Sequence, residues 1–121
     1  MAIDYRGRRF RPVSNSSAGQ VNSDTLFLYD QPDGNDLFTG AYRGGGIRYG
    51  SITGFVDLKT GALRFLYQHV TDAGDMRSGS CESTPELLPD GRVRLHERWR
   101  WHDGGGSGES VLEELKTFNR E

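Results

Sequence analysis

The sequence has few of the features that stabilise secreted proteins or anchor membrane proteins. It contains a single cysteine, Cys81, so no disulfide can form within the chain. The longest uninterrupted apolar run covers residues 26–29, whereas a membrane-spanning helix needs ~20 such residues. No apolar stretch near the first residue could serve as the core of a signal peptide. We therefore expect a cytoplasmic protein with no membrane partner.

An excess of charge of one sign is also lacking. The 15 basic and 17 acidic residues leave a formal net charge of −2 at pH 7, so the chain does not have the basic character of a nucleic-acid-binding domain. The three histidines and Cys81 form no His-x-His or Cys-x-x-Cys pair, which are spacings typical of metal sites. We predict no nucleic-acid partner, no metal site and no cofactor.

Glycine is abundant, at 17 of the 121 residues, whereas helical periodicity is almost absent. Seven polar or glycine-bearing breaks leave eight segments of strand character, at residues 5–13, 24–31, 37–43, 47–56, 62–70, 76–84, 92–102 and 109–117. The breaks are too short to hold the crossover helix that parallel strands require, so consecutive segments should pair antiparallel. We predict an all-β fold, with one domain over residues 1–121 built as an eight-stranded up-and-down meander.

Two features favour closure of this meander into a barrel. Closure removes the exposed sheet edges that invite aggregation. In addition, the first segment is rich in arginine and the last in glutamate, and opposite charges stabilise paired strands; these residues are Arg6, Arg8, Arg9, Arg11, Glu109, Glu113 and Glu114. We expect a closed barrel in which the first and last strands pair. A sandwich, or a sheet covered by a helix over residues 110–118, is the alternative.

Segment 92–102 has the clearest alternation in the chain. One face carries four apolar residues and Glu97, and the other carries only basic residues and histidines: Val93, Leu95, Glu97, Trp99 and Trp101 against Arg94, His96, Arg98, Arg100 and His102. A period of two indicates a strand with one buried and one solvated face. Glu97 is then a carboxylate on a buried face, which costs several kcal/mol unless the group is paired, hydrogen-bonded or protonated.

Two neighbouring segments have a related pattern. Segment 62–70 places Leu63, Phe65, Tyr67 and His69 on one face, and segment 76–84 places Ser78, Ser80 and Glu82 on the same face as Met76. If these faces point inward, the barrel encloses an apolar pocket with a few polar groups, as small-ligand sites do. The predicted lumen residues for ligand binding are Glu97, Trp99, Trp101, Tyr67, His69, Glu82 and Tyr42. The inward face of residues 24–56 is ambiguous, because Ile47, Tyr49 and Phe55 compete with Ile52 and Val56.

Three alternatives to a ligand-binding lumen are consistent with the same residues. The barrel could be filled by its own side chains, with Glu97 paired to Arg9, Arg43 or Arg48. The Arg/His face of strand 92–102 could bind a protein or an anion. A small enzyme could use Glu97 with Glu82 or His69 as an acid/base pair. No Gly-x-Ser-x-Gly nucleophile motif is present, and we assign no catalytic residue.

Four stretches of the sequence resemble a family of small bacterial proteins that often carry the label N-acetylglutamate synthase. They are GRRFRPVSNSSAG at 7–19, GGGIRYGSITGFVD at 44–57, YQHV at 67–70 and SCESTPELLPDGRVRLHERWRW at 80–101. The resemblance implies a calycin-type fold, the barrel of lipocalins and avidins, with an interior large enough for a ligand.

The glycine runs do not support the acetyltransferase label. Acetyltransferases that use acetyl-CoA hold its pyrophosphate on a glycine-rich turn that opens a helix. Here the runs at 44–46 and 104–106 lie between predicted strands, and no helix follows the first. We therefore expect no acetyltransferase activity, and a non-enzymatic protein that binds a small, partly apolar ligand is the favoured interpretation.

Overall fold

The computed structural model describes residues 3–116 and contains eight β-strands within them. The strands are β1 (Arg9–Asn15), β2 (Leu26–Asp30), β3 (Leu37–Gly44), β4 (Ile47–Val56), β5 (Leu63–Thr71), β6 (Met76–Leu87), β7 (Val93–Trp101) and β8 (Ser107–Glu114). Each strand pairs antiparallel with the next, and β8 pairs with β1, which closes the barrel. The predicted closed meander is confirmed.

The described part of the chain contains no helix, so the alternative of a helix over 110–118 is wrong as far as residue 116. Residues 117 and 118 of that segment lie outside the described residues. No helix that could cross a membrane occurs in residues 3–116.

The charges of the first and last strands meet as predicted. Arg11 of β1 lies opposite Glu113 of β8, and the guanidinium of Arg8 contacts the Glu114 carboxylate at 2.7 Å. Glu114 is buried and also accepts a hydrogen bond from the backbone N–H of Val93 at 3.0 Å. This carboxylate therefore links the closure of the barrel between β1 and β8 to β7.

A β-bulge determines which residues of β4 face the interior of the barrel. The pairing of β4 with β5 shifts register between Ile47 and Tyr49, and an extra residue in one strand reverses the alternation beyond it. Ile47 is buried on one side of the bulge, and Ile52 is buried on the other side. Tyr49 and Phe55 are each 53% exposed on the outer surface.

The N-terminal residues close one end of the barrel. Tyr5 is fully buried, its hydroxyl donates to the carbonyl oxygen of Gly61 at 2.5 Å, and its backbone N–H donates to Oε1 of Gln31 at 2.6 Å. Ile3 packs against the same core. These side chains therefore fill this end of the barrel.

Large aromatic rings lie over glycines of the adjacent strand throughout the lumen. In each pair the two residues are directly opposite in register, and a Cβ on the glycine would meet the aromatic ring: Tyr29 with Gly40, Tyr42 with Gly50, Tyr67 with Gly79 and Trp99 with Gly108. A ring can lie across a neighbouring strand only where that strand presents no side chain. These glycines therefore make room for the aromatic lining.

Replacing Gly50 with alanine tests this arrangement. The new methyl group would overlap the Tyr42 ring, and overpacking of this kind costs about 1–3 kcal/mol. We expect urea denaturation to show this loss, and we expect only a few tenths of a kcal/mol for Ser51→Ala, which changes the neighbouring, half-exposed position of the same strand. Equal stabilities of the two variants would show that the Tyr42 ring does not need the glycine.

Candidate functional site

A cavity of about 50 Å³ lies in the lumen, towards the end of the barrel opposite Tyr5. Six aromatic residues line it: Phe27, Tyr42, Phe65, Tyr67, Trp99 and Trp101. Four polar side chains also line it, namely Asn15, Gln20, His69 and Glu97. The cavity therefore combines apolar walls with a few polar groups, which is the composition of a small-ligand site.

Glu97 lies inside the barrel on β7, among the cavity walls. The hydroxyl of Ser83 donates to its Oε2 at 2.8 Å, and the hydroxyl of Ser110 donates to its Oε1 at 3.3 Å. Burial raises the pKa of Glu97 to about 7, and the two serine hydrogen bonds oppose this shift only in part. The hydroxyls thus satisfy hydrogen bonds of the carboxylate without neutralising its charge.

The alternative in which Glu97 pairs with an arginine is wrong. Arg9, Arg43 and Arg48 are all exposed on the outside of the barrel. No ion pair to Glu97 is present among residues 3–116. The carboxylate is buried, and no cation of the described residues lies beside it.

His69 is the centre of a hydrogen-bonded chain across the cavity. Its Nδ1 lies 2.7 Å from the Tyr42 hydroxyl, and its Nε2 lies 2.7 Å from Oε1 of Gln20. The Gln20 oxygen can only accept, so Nε2 carries the proton and Nδ1 accepts from Tyr42. Burial lowers the pKa of His69, which favours this neutral form of the ring.

The connection between β1 and β2 covers the cavity. We call residues 16–22 the cover segment. Several hydrogen bonds hold it to the barrel, among them Gln20 to His69, the Trp101 indole N–H to the Ala18 carbonyl at 3.0 Å, and the Asn15 amide to the Val21 carbonyl at 2.8 Å. Gly19, Gln20 and Val21 line the cavity directly. The cover segment therefore forms part of the cavity wall at this end of the barrel.

The structure brings six of the seven predicted lumen residues to this cavity. They are Glu97, Trp99, Trp101, Tyr67, His69 and Tyr42. Sequence reasoning missed Asn15 and Gln20, because the stretch between the predicted segments 5–13 and 24–31 was interpreted only as a break. That break is longer than the 2–5 residues a hairpin loop typically needs, and this excess length was the available signal.

The placement of Glu82 in the lumen is wrong. Glu82 is exposed on the outer face of β6, opposite Arg64 of β5 and Arg98 of β7. Cys81 and Ser83 face the interior instead. The sequence interpretation relied on Met76 as a buried residue, but Met76 is 79% exposed, so the whole alternation of this strand is reversed.

This correction affects the enzyme alternative. Glu97 and Glu82 lie on opposite faces of the barrel wall and cannot act as a pair. Glu97 and His69 both line the cavity, but His69 bonds Tyr42 and Gln20, whereas Glu97 bonds two serines. The described site thus contains no hydrogen-bonded acid/base pair that includes Glu97.

The basic face of β7 is crossed by ion pairs to neighbouring strands. Arg94 contacts Glu113 of β8 at 2.8 Å and Glu86 of β6 at 3.3 Å, and His96 lies 2.8 Å from the same Glu86 carboxylate. Much of the charge proposed for protein or anion binding is therefore balanced within the barrel. In residues 3–116, no group of three potential metal ligands comes together.

Comparison with known proteins places the chain in a family. Searches of curated proteins and of solved structures gave no match. The family model described as "Avidin-like protein" matches residues 3–115, which span all eight strands, the cover segment and every residue of the cavity. The chain belongs to the Avidin-like protein family.

Proposed function

We propose that this protein binds a small, partly apolar ligand in the lumen cavity. Avidin-like barrels bind small ligands in general, biotin in the avidins being an example. The observation that carries the proposal is the position of Glu97, a buried carboxylate in an aromatic cavity to which residues 3–116 supply no counterion. A buried charge lowers stability, so its presence is better explained by recognition than by packing.

The size of the cavity limits the ligand. A water molecule needs roughly 10–15 Å³ of such space, so the cavity of about 50 Å³ accepts a ligand of a few non-hydrogen atoms. Pockets for drug-sized ligands measure roughly 300–1,000 Å³. A ligand as large as biotin would fit only after the cover segment has moved away.

The polar groups of the cavity would orient the ligand. Glu97 offers carboxylate oxygens at the inner end, while Tyr42, His69 and Gln20 form their hydrogen-bonded chain near the cover segment. Trp99, Trp101 and Tyr67 supply flat apolar walls. A ligand with one polar end and a short apolar part matches this distribution.

Intrinsic fluorescence gives a direct test of binding. The chain has two tryptophans, Trp99 and Trp101, and both line the cavity. We expect at least one of three probes, 1-propanol, n-propylammonium or propionate, to change their emission with a saturable dependence on concentration. Isothermal titration calorimetry on the full chain would give the affinity.

A pair of substitutions at Cys81 tests whether the lumen is the binding site. Cys81→Leu extends a longer side chain into the cavity, and Cys81→Ala shortens it. We expect the leucine variant to lose the saturable signal and the alanine variant to keep it. Retention of binding in a folded leucine variant, or failure of all three probes to bind the wild-type protein and the alanine variant, would contradict the proposed function.

A further inference from the structure

We propose that the ligand is a small organic cation, a protonated amine that carries a short apolar chain. This inference rests on the proposed function and names the chemical class of the ligand. It is carried by two independent features of the cavity: unmatched hydrogen-bond acceptors and aromatic walls.

The first feature is a surplus of acceptors inside the cavity. Among residues 3–116, the Glu97 carboxylate receives two hydroxyl hydrogen bonds but no cation. Asn15 lines the same cavity, and its Oδ1 is buried without a hydrogen-bond partner in the described part of the chain. A buried acceptor left unpaired lowers stability. A ligand that donates N–H hydrogen bonds would satisfy such acceptors, and a positive charge would also balance Glu97.

The second feature is the aromatic wall. Cations are attracted to the faces of tryptophan and tyrosine rings, most strongly where water is excluded. Trp99, Trp101 and Tyr67 lie together along the cavity, with ring centroids 5.8 Å apart for the two indoles and 5.5 Å apart for Tyr67 and Trp101. The guanidinium of Arg77 already lies 3.8 Å from the Trp101 ring centroid. The barrel therefore uses one of these rings to hold a cation of its own.

The same features disfavour other ligand classes. A carboxylate ligand would bring a second negative charge next to Glu97, and like charges at short distance repel strongly where water is excluded. A neutral alcohol could donate one hydrogen bond but would leave the charge of Glu97 unbalanced. A protonated primary amine provides three N–H donors and the missing charge in one group.

The test compares three probes of nearly equal size. n-Propylammonium, 1-propanol and propionate differ mainly in charge, and each is titrated by calorimetry at about pH 8, where a primary amine is still protonated. Hydrogen bonds to charged groups contribute about 1.5–3 kcal/mol, so we expect n-propylammonium to bind at least about tenfold more tightly than 1-propanol. Propionate should bind most weakly.

Two variants test whether Glu97 causes the preference for n-propylammonium over 1-propanol. Glu97→Gln keeps the shape and removes the charge, so the affinity for n-propylammonium should fall about tenfold or more while that for 1-propanol changes little. Glu82→Gln makes the same chemical change on the outer face and should alter neither affinity. Circular dichroism and tryptophan emission would confirm that both variants are folded.

The possible failures are distinct. If 1-propanol binds as tightly as n-propylammonium, or if Glu97→Gln leaves the ratio of the two affinities unchanged, the cation assignment is wrong and the lumen remains a ligand site. If no probe binds, the proposed function fails and the assignment fails with it.

Discussion

Glu97→Gln is expected to make the protein more stable above pH 7, by about 3 kcal/mol. The carboxyl group of Glu97 has a pKa of about 7 in the folded protein against an ordinary value of 4.5. Each pKa unit corresponds to about 1.4 kcal/mol. A shift of this size therefore represents about 3 kcal/mol of destabilisation of the folded state once the group is ionised.

The direction of the pH dependence follows from proton binding. Between about pH 4.5 and pH 7 the folded protein holds the proton on Glu97, while the unfolded chain has released it. Stability from this group is therefore fully present below pH 4.5 and is lost as pH rises to 7. The other titratable groups whose electrostatics couple to Glu97 stay neutral in this range, because burial raises the pKa values of Tyr5, Tyr29, Tyr42, Tyr67 and Cys81.

Urea denaturation of the wild-type protein and the variant across this range provides the measurement. The wild-type protein should lose stability between pH 5 and 7 relative to Glu97→Gln, and the two curves should run parallel above about pH 8. Glutamine is accommodated because the hydroxyls of Ser83 and Ser110 can both donate and accept. Glu82→Gln serves as the control, with no such divergence. Curves that stay parallel from pH 5 upward would show that Glu97 is not a buried titrating acid.

Removal of the Tyr29 hydroxyl is expected to stabilise the protein by about 1–3 kcal/mol, which is the cost of an unsatisfied buried polar group. Tyr29 is fully buried between Phe10, Phe27 and Phe38, and its hydroxyl has no hydrogen-bond partner in the described part of the chain. Tyr29→Phe deletes only this oxygen and leaves the ring contacts in place. The free energy of unfolding should therefore rise.

Tyr5→Phe is the matched control, and we expect it to change the stability in the opposite direction. Tyr5 is also fully buried, but its hydroxyl donates to the Gly61 carbonyl at 2.5 Å. The deletion leaves that carbonyl without its side-chain donor and should cost about 1 kcal/mol or more. Thermal and urea denaturation should thus show that the same chemical change raises the free energy of unfolding at Tyr29 and lowers it at Tyr5. A loss of stability in Tyr29→Phe would mean that its hydroxyl has a partner after all.

Strong alternation made much of the architecture predictable. β5 and β7 carry large apolar side chains at every second position, so their inward faces, including His69 and Glu97, were identified correctly from the pattern. The short breaks required antiparallel neighbours, and the charges near β1 and β8 indicated that these strands pair.

Where a strand lacks large apolar residues, the alternation of apolar and polar residues does not show which face of the strand points inward. Cys81 and Ser83 are small, and the exposed Met76 suggested the wrong face of β6. Cys81 faces inward because it lies opposite Phe65 on one side and Trp99 on the other, and residues opposite each other in a sheet share a face. That information is contained in the register of the hydrogen bonds and not in the segment itself.

The sequence by itself determined the number of strands, their antiparallel order, the closure of the barrel and the presence of a carboxylate among the lumen aromatics, because alternation and break length are local properties. The tertiary structure alone decided the bulge in β4, the inward face of β6, the serine partners of Glu97 and the cover segment over the cavity. These depend on register and on the path of a long connection, and both are set by contacts between residues far apart in the chain.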